Sequence, residues 1–466
     1  MQLIILAALL ATLAHSQADP GTAMGSTVAA NLLGDQGRLV GLLLTMFAAP
    51  FATACDGGWF IARLRRNPLS TCRDWQQAGQ QYERLQLAAA WLWLGASLAI
   101  IYLWNWPELV RTTWAWNAWP LVDDLFVLAP VVGSLGLIWM TFYYVERTAH
   151  ELRQAPKRRQ SLVAYLTWQC RHYLAMALIP ALLVLGIQDL SAYFGQQQLL
   201  TSATAKWSWL GIPAIALLVI ALPVLLRRLW PTSELPANEL RAQLEAISVQ
   251  LKTPLTQILV WETNGRLANA AVAGLSRHCR YLFLTDALLV QLAPTEIAAV
   301  VRHELAHLQR RHLILRLLLL ALPGLAWFAL GPLLREQFVW LKDVSPDSLV
   351  VAGIYLAYAA VVVGYYSKLL EYDADLAAVF DERGEVHADS ARDLIHALMV
   401  LQGPHGDARF SWLHPPTSLR IVWLRRVLPK PAEGLVYRRR LDNAARVVFS
   451  LTAALAALIV FASLLS

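Results

Sequence analysis

Two histidines four residues apart, His303 and His307, and the acid beside the first, Glu304, are the side chains of this sequence best placed to do chemistry. They lie in EIAAVVRHELAHLQRRH, Glu296 to His312. On a helix, His303 and His307 stand one turn apart on one face, so two neutral imidazoles can grip one divalent ion from the same side. Glu304 sits about 100° further round, within reach of a metal-bound water without being a ligand itself. Zinc held in this way lowers the pKa of its water, and Glu304 is placed to take the proton, which is hydrolase chemistry. The alternative is a surface helix that carries two solvated histidines.

The element that must hold these residues has good start signals. Pro294 fits the first helical position and Glu296 the third. Ile297, Val301, Leu305 and Leu308 form an apolar row roughly 130° from the histidine row, so one face packs while the other looks into a cleft. A catalytic zinc needs a third protein ligand. The chain does not continue as HExxHxxGxxH, because Arg310 stands at the glycine position and Leu313 at that of the third histidine. His312, one place short, reads as a polar residue at a membrane boundary. Glu371, in SKLLEYDADLAAV, is the candidate third ligand, with Asp375 one turn on along the same face. Asp375 is then placed to accept a hydrogen bond from a ligand histidine and fix its tautomer. Taken alone, Glu371 also reads as a solvated helix carboxylate.

With 466 residues, 57% of them hydrophobic, 19 Trp and only 15% charged, the chain reads as a polytopic membrane protein, mainly α. Residues 1–18 have a short apolar core and a small-x-small end, Ser16 and Ala18, but no basic start. They fit either a cleavable signal peptide or a short uncleaved anchor. About eight transmembrane helices are expected, near 39–62, 85–106, 121–145, 173–190, 207–226, 313–333, 349–366 and 447–465. The first five place a membrane region at 19–226. Basic residues crowd into alternate loops: Arg63, Arg65, Arg66, Arg73 and Arg84, then Arg147, Arg153, Lys157, Arg158 and Arg159, then Arg227 and Arg228. By the positive-inside rule, 227–312 and 367–446 lie in the cytoplasm. The spans at about 313–366 form a membrane hairpin that returns Glu371 to the side of His303 and His307, and Arg316 is expected to snorkel to the surface. A last span at 447–466 closes the chain.

Cys55, Cys72, Cys170 and Cys279 form no CxxC pair and fall at or near the inner side, so reduced thiols are expected. The net charge of +7 comes largely from inner loops and reads as topology and contact with anionic lipid, with no need for nucleic acid. Asn238 can cap a helix with apolar positions Leu240, Leu244, Ile247 and Leu251. Strands are expected at 255–262, 267–273 and 280–285, with a tight turn at Asn264–Gly265. The small sheet is either structural or an edge to which an extended peptide adds as a strand. Further on, an amphipathic helix is expected at 390–402, and His414 precedes a double proline that starts the next helix.

HELAH, EYDAD and HPPTSLRI together resemble the HtpX and CAAX prenyl protease family of membrane zinc metallopeptidases, over about residues 230–430. The resemblance implies a zincin-like α+β peptidase domain on the cytoplasmic side, zinc on His303, His307 and Glu371, Glu304 as general base and Asp375 behind the ligands. It also implies that Asn269, in NAAVAG, binds substrate backbone, and that His414 stabilises the oxyanion. Ala271 stands where the family often has tyrosine, and residues 19–226 match no pattern of the family. The implied activity is a membrane zinc metalloendopeptidase working at the cytoplasmic face of a bacterial-type inner membrane, on membrane proteins or membrane-delivered peptides. Alternatives are a CAAX-type prenyl protease, a sensor protease that cuts a cytoplasmic regulator, and a non-catalytic scaffold or chaperone with structural zinc. The retained Glu304 argues against the last, since a structural site has no use for a base and usually closes its fourth position.

Overall fold

The computed structural model describes residues 28–66, 71–116, 121–152, 161–175, 178–179, 182, 186, 211–265, 267–338, 349–380, 385–402 and 413–465. The chain divides into two compact units, Met1–Val219 and Ile220–Ser466. The possible leader at 1–18 lies outside the described residues, as does most of the expected span at 173–190.

In the first unit, three long helices, α1 (Val28–Arg66), α2 (Cys72–Leu98) and α3 (Val122–Leu152), pack around Trp93, Trp139, Phe142 and Tyr165, all of them fully buried. A buried indole usually finds an acceptor. That of Trp93 donates to the Val131 carbonyl and to Ser134 Oγ, both at 3.0 Å. Between α2 and α3 the chain breaks at Asn105, and the charges there are paired: Arg38 with Glu108 at 3.1 Å, Arg111 with Asp123 and Asp124 at 2.6 and 2.8 Å.

The second unit carries the small sheet. Helix α4 (Gly211–Leu229) leads into β1 (Thr232–Glu234), α5 (Glu239–Gln250), β2 (Gln257–Trp261), β3 (Ala270–Ala273) and β4 (Tyr281–Thr285). The order is β1-β2-β4-β3, with β2 parallel to β4 and the other pairs antiparallel. The Asn264–Gly265 turn forms, with both residues at positive φ and Asp286 bonding Thr263 and Gly265, but the strands on either side of it are not neighbours. β3 is an edge. It ends at Gly274, where φ is +124° and an added Cβ would lie 2.2 Å from the Cys279 carbonyl oxygen, so the return into β4 requires glycine.

Asn238 caps α5 through the Arg241 amide at 2.9 Å. A short helix, α6 (Asp286–Gln291), precedes α7 (Pro294–Gln309), the helix of the paired histidines. Glu296 accepts from the Ala293 amide at 2.8 Å and fixes the start of α7. Ile297, Val301 and Leu305 are buried against the sheet and α5, and Leu308 packs at the edge of that core. Each such buried side chain contributes about 1.5–3 kcal/mol, which fixes the helix by the face opposite its chemistry.

Next come α8 (His312–Gln337), α9 (Leu349–Tyr358), α10 (Gly364–Val379), α11 (Ala388–Gln402), α12 (Thr417–Val427) and α13 (Pro431–Leu465). Six helices among the described residues are long and apolar enough to cross a membrane, against about eight expected: Gly34–Arg66, Gln77–Leu103, Val122–Leu152, His312–Gln337, Gly353–Val379 and Pro431–Ala462. The expected span at 207–226 falls on α4, of 19 residues, part of whose length carries no described side chains. The protein is an integral membrane protein, mainly helical, with a small mixed sheet.

Candidate metal centre

Helix α7 brings His303 and His307 to one face, and α10, returning from the membrane, brings Glu371 opposite them. Ligand atoms of the three lie within 4.8 Å of one another. His303 Nε2 is 3.5 Å from Glu371 Oε2, and His307 Nε2 is 3.4 Å from Oε1. A tetrahedral zinc with bonds of about 2.0–2.1 Å has ligand-to-ligand edges of about 3.4 Å. Two imidazole nitrogens and a carboxylate at these separations fit a zinc held by three protein ligands.

Asp375, one turn beyond Glu371 and fully buried, lies 2.9 Å from His303 Nδ1, which leaves Nε2 towards Glu371. Arg420, from α12, grips Asp375 with Nε at 2.9 Å and Nη2 at 2.5 Å, and lies against the His303 ring at 3.3 Å. Its guanidinium pKa rises: burial opposes the charge, but Asp375 and Glu371 outweigh it. The sequence reading missed Arg420, although it stands inside the HPPTSLRI stretch; nothing in its spacing reveals that α12 folds back onto His303.

His414 Nδ1 is 3.0 Å from Glu371 Oε2, with the side chain 55% exposed. Arg316 Nη2 approaches the other oxygen of Glu371 at 3.0 Å. That corrects the expectation that Arg316 snorkels to the surface: a buried carboxylate within reach is a better partner than water. Asn269 does not join this ring of contacts. It stands exposed at the start of edge strand β3, its backbone paired with Thr285 at 2.9–3.0 Å.

Burial raises the pKa of Glu304, although the charges of His303, His414 and Arg420 nearby pull it down. Burial also favours neutral His303, as does Arg420, but Asp375 and Glu371 win and lift it to about 9. His307 goes the other way: burial depresses its pKa well below the ordinary imidazole value, with His303, His312 and Arg316 adding to the effect.

His312 is also corrected in part. It does open the candidate span His312–Gln337, but it is buried, with Nδ1 2.9 Å from His307 Nδ1 and Nε2 3.0 Å from Asp373 Oδ2, so it also belongs to the site.

Residues 234–428 match the family model of Peptidase family M48. A comparison with curated proteins finds no match. Among solved structures, the crystal structure of Ste24p from S. mikatae is similar in fold, with a TM-score of 0.53 and 15% sequence identity, over 82% of this chain and 98% of that one.

Proposed function

We propose that this membrane metallopeptidase, whose residues 234–428 form a peptidase family M48 domain, is a zinc endopeptidase that cuts membrane-associated proteins or peptides at the cytoplasmic face. The observation that carries the reading is the meeting of His303, His307 and Glu371, with ligand atoms all within 4.8 Å of one another and Glu304 on the same helix. A zinc ion held there supplies Lewis acidity and lowers the pKa of a water. Glu304 takes the proton of the attacking water and passes it to the leaving amine, and burial, by raising its pKa, makes it a stronger base for that role. His414, exposed beside Glu371, donates to the oxygen of the scissile carbonyl as charge develops on it. An extended substrate adds to edge strand β3, which packs against α7, with Asn269 at the start of that edge binding its backbone.

The cytoplasmic assignment, in a bacterial-type inner membrane, rests on the arginines at the ends of the spans, Arg63, Arg65 and Arg66 on α1 and Arg227 and Arg228 on α4. The fold likeness to Ste24p supports a second reading, a CAAX-type prenyl protease. Comparative proteomics of membranes that carry wild type or Glu304→Gln tests the proposal and separates the two. The endopeptidase reading expects unprenylated membrane proteins to accumulate uncut on the Glu304→Gln protein. Enrichment confined to prenylated chains would favour the second reading, and no difference between the two membranes would contradict both.

A further inference from the structure

The two ligand histidines are held differently. His303 meets its carboxylate directly, through Asp375. Among the described residues, no carboxylate meets the outer nitrogen of His307. Its Nδ1 faces a second imidazole, His312 Nδ1, at 2.9 Å, and that imidazole's Nε2 faces Asp373 Oδ2 at 3.0 Å. We infer that His312 and Asp373 are positioning residues that fix the tautomer of His307 through a chain of two hydrogen bonds. This inference rests on the metal-site reading above.

The direction of the chain follows from its end. Asp373 is fully buried and receives Arg310 Nε at 2.7 Å and Nη2 at 3.3 Å, with Arg438 at 3.6 Å, so it is a carboxylate that only accepts. His312 therefore carries its proton on Nε2 and turns the Nδ1 lone pair to His307. His307 in turn carries its proton on Nδ1, and its Nε2 lone pair is left facing Glu371. Reversing either bond would put a proton on the nitrogen that must bind metal. The outer partner of a ligand histidine commonly fixes tautomer and ring orientation in this way.

The backbone is shaped for the relay. On an unbroken helix, residue 312 would lie about 140° round from residue 307 and could not stack back on it. Instead α7 ends, Arg311 takes a left-handed conformation at φ 58°, and α8 starts again at His312. A non-glycine residue in that conformation is strained and persists only where its surroundings hold it. On α10, Asp373 lies about 200° round from Glu371 and so cannot share its face; His312 is what links it to the metal cluster. Arg310 also binds Asp442 of α13 at 2.8 Å, which anchors the far end of the relay.

The test measures zinc affinity of the full chain in detergent by competition with a chromophoric chelator. His312→Asn keeps an amide oxygen where Nδ1 accepts from His307. His312→Gln puts its amide near the Nε2 position, serving Asp373 and leaving His307 without its acceptor. Zinc binding is expected to weaken about 10- to 100-fold in His312→Gln and to stay within about threefold of wild type in His312→Asn. Equal affinities in the two variants, low or high, would overturn the inference. A wild type that binds no more zinc than His303→Ala would instead overturn the metal-site reading. The wild type also gives a check that needs no variant to fold. Imidazole ¹⁵N spectra of the zinc-loaded chain should show the His312 proton on Nε2, and a proton on its Nδ1 alone would contradict the relay.

Discussion

At the scale of single residues, the site separates binding from proton transfer and charge stabilisation. His303, lifted to about 9 by Asp375 and Glu371, holds a proton at neutral pH in the metal-free protein, whereas His307 is already neutral. A ligand must be deprotonated, so zinc uptake displaces the His303 proton at any pH below that value. Affinity should therefore rise about tenfold per pH unit up to about pH 9 and level off above it. Titration calorimetry in two buffers of different ionisation enthalpy, done in a Glu304→Gln background so that Glu304 contributes none, should count about one proton released per zinc at pH 7.5. None released would contradict the electrostatics given for His303. The proposed mechanism gives His414 the other task. His414→Ala should lower kcat about a hundredfold or more with zinc content nearly unchanged. Zinc lost in step with activity would make His414 a ligand instead.

At the scale of elements, α7 divides its labour between faces. Leu305 is fully buried under the sheet, on the side away from the ligands. Leu305→Ala should cost about 2–5 kcal/mol, while Val290→Ala, at a side chain 87% exposed on α6, should stay within about 0.5 kcal/mol. Denaturant unfolding of the two variants in detergent checks the contrast, and similar costs would mean that the packing face has been misassigned. This division was legible in the sequence because both rows follow from helical spacing alone. Three of the four strands were legible as strands, but not the short β1, nor the order, since pairing of β1 with β2 and of β2 with β4 depends on contacts between distant segments. His312, Asp373 and Arg420 escaped the sequence reading for a related reason. Their roles depend on a left-handed break at Arg311 and on the fold-back of α12, and neither residue types nor periodicity announces these.

At the scale of the whole molecule, the membrane helices do part of the site's work. On the proposed reading Glu371 is a ligand carried by a membrane span: α10 lies within the candidate span Gly353–Val379 and brings the carboxylate to α7. On the proposed topology the chain between His307 and Glu371 crosses out and back, so residues flanking the spans alternate in side. Epitope tags at 152–160 and 433–440 should be protected in intact cells, and tags at 112–118 and 343–347 accessible. Accessibility of a tag at 433–440 would place the domain on the opposite face.

The central claim is that the chain hydrolyses peptide bonds with a metal held by His303, His307 and Glu371 while Glu304 moves the proton. It is tested most directly by measuring bound zinc and substrate cleavage together in wild type, Glu304→Gln and Glu371→Ala, purified side by side. About one zinc per chain is expected in wild type and in Glu304→Gln, little in Glu371→Ala, and cleavage in wild type alone. Cleavage by Glu304→Gln within a few-fold of wild type, or full zinc in Glu371→Ala, would contradict it.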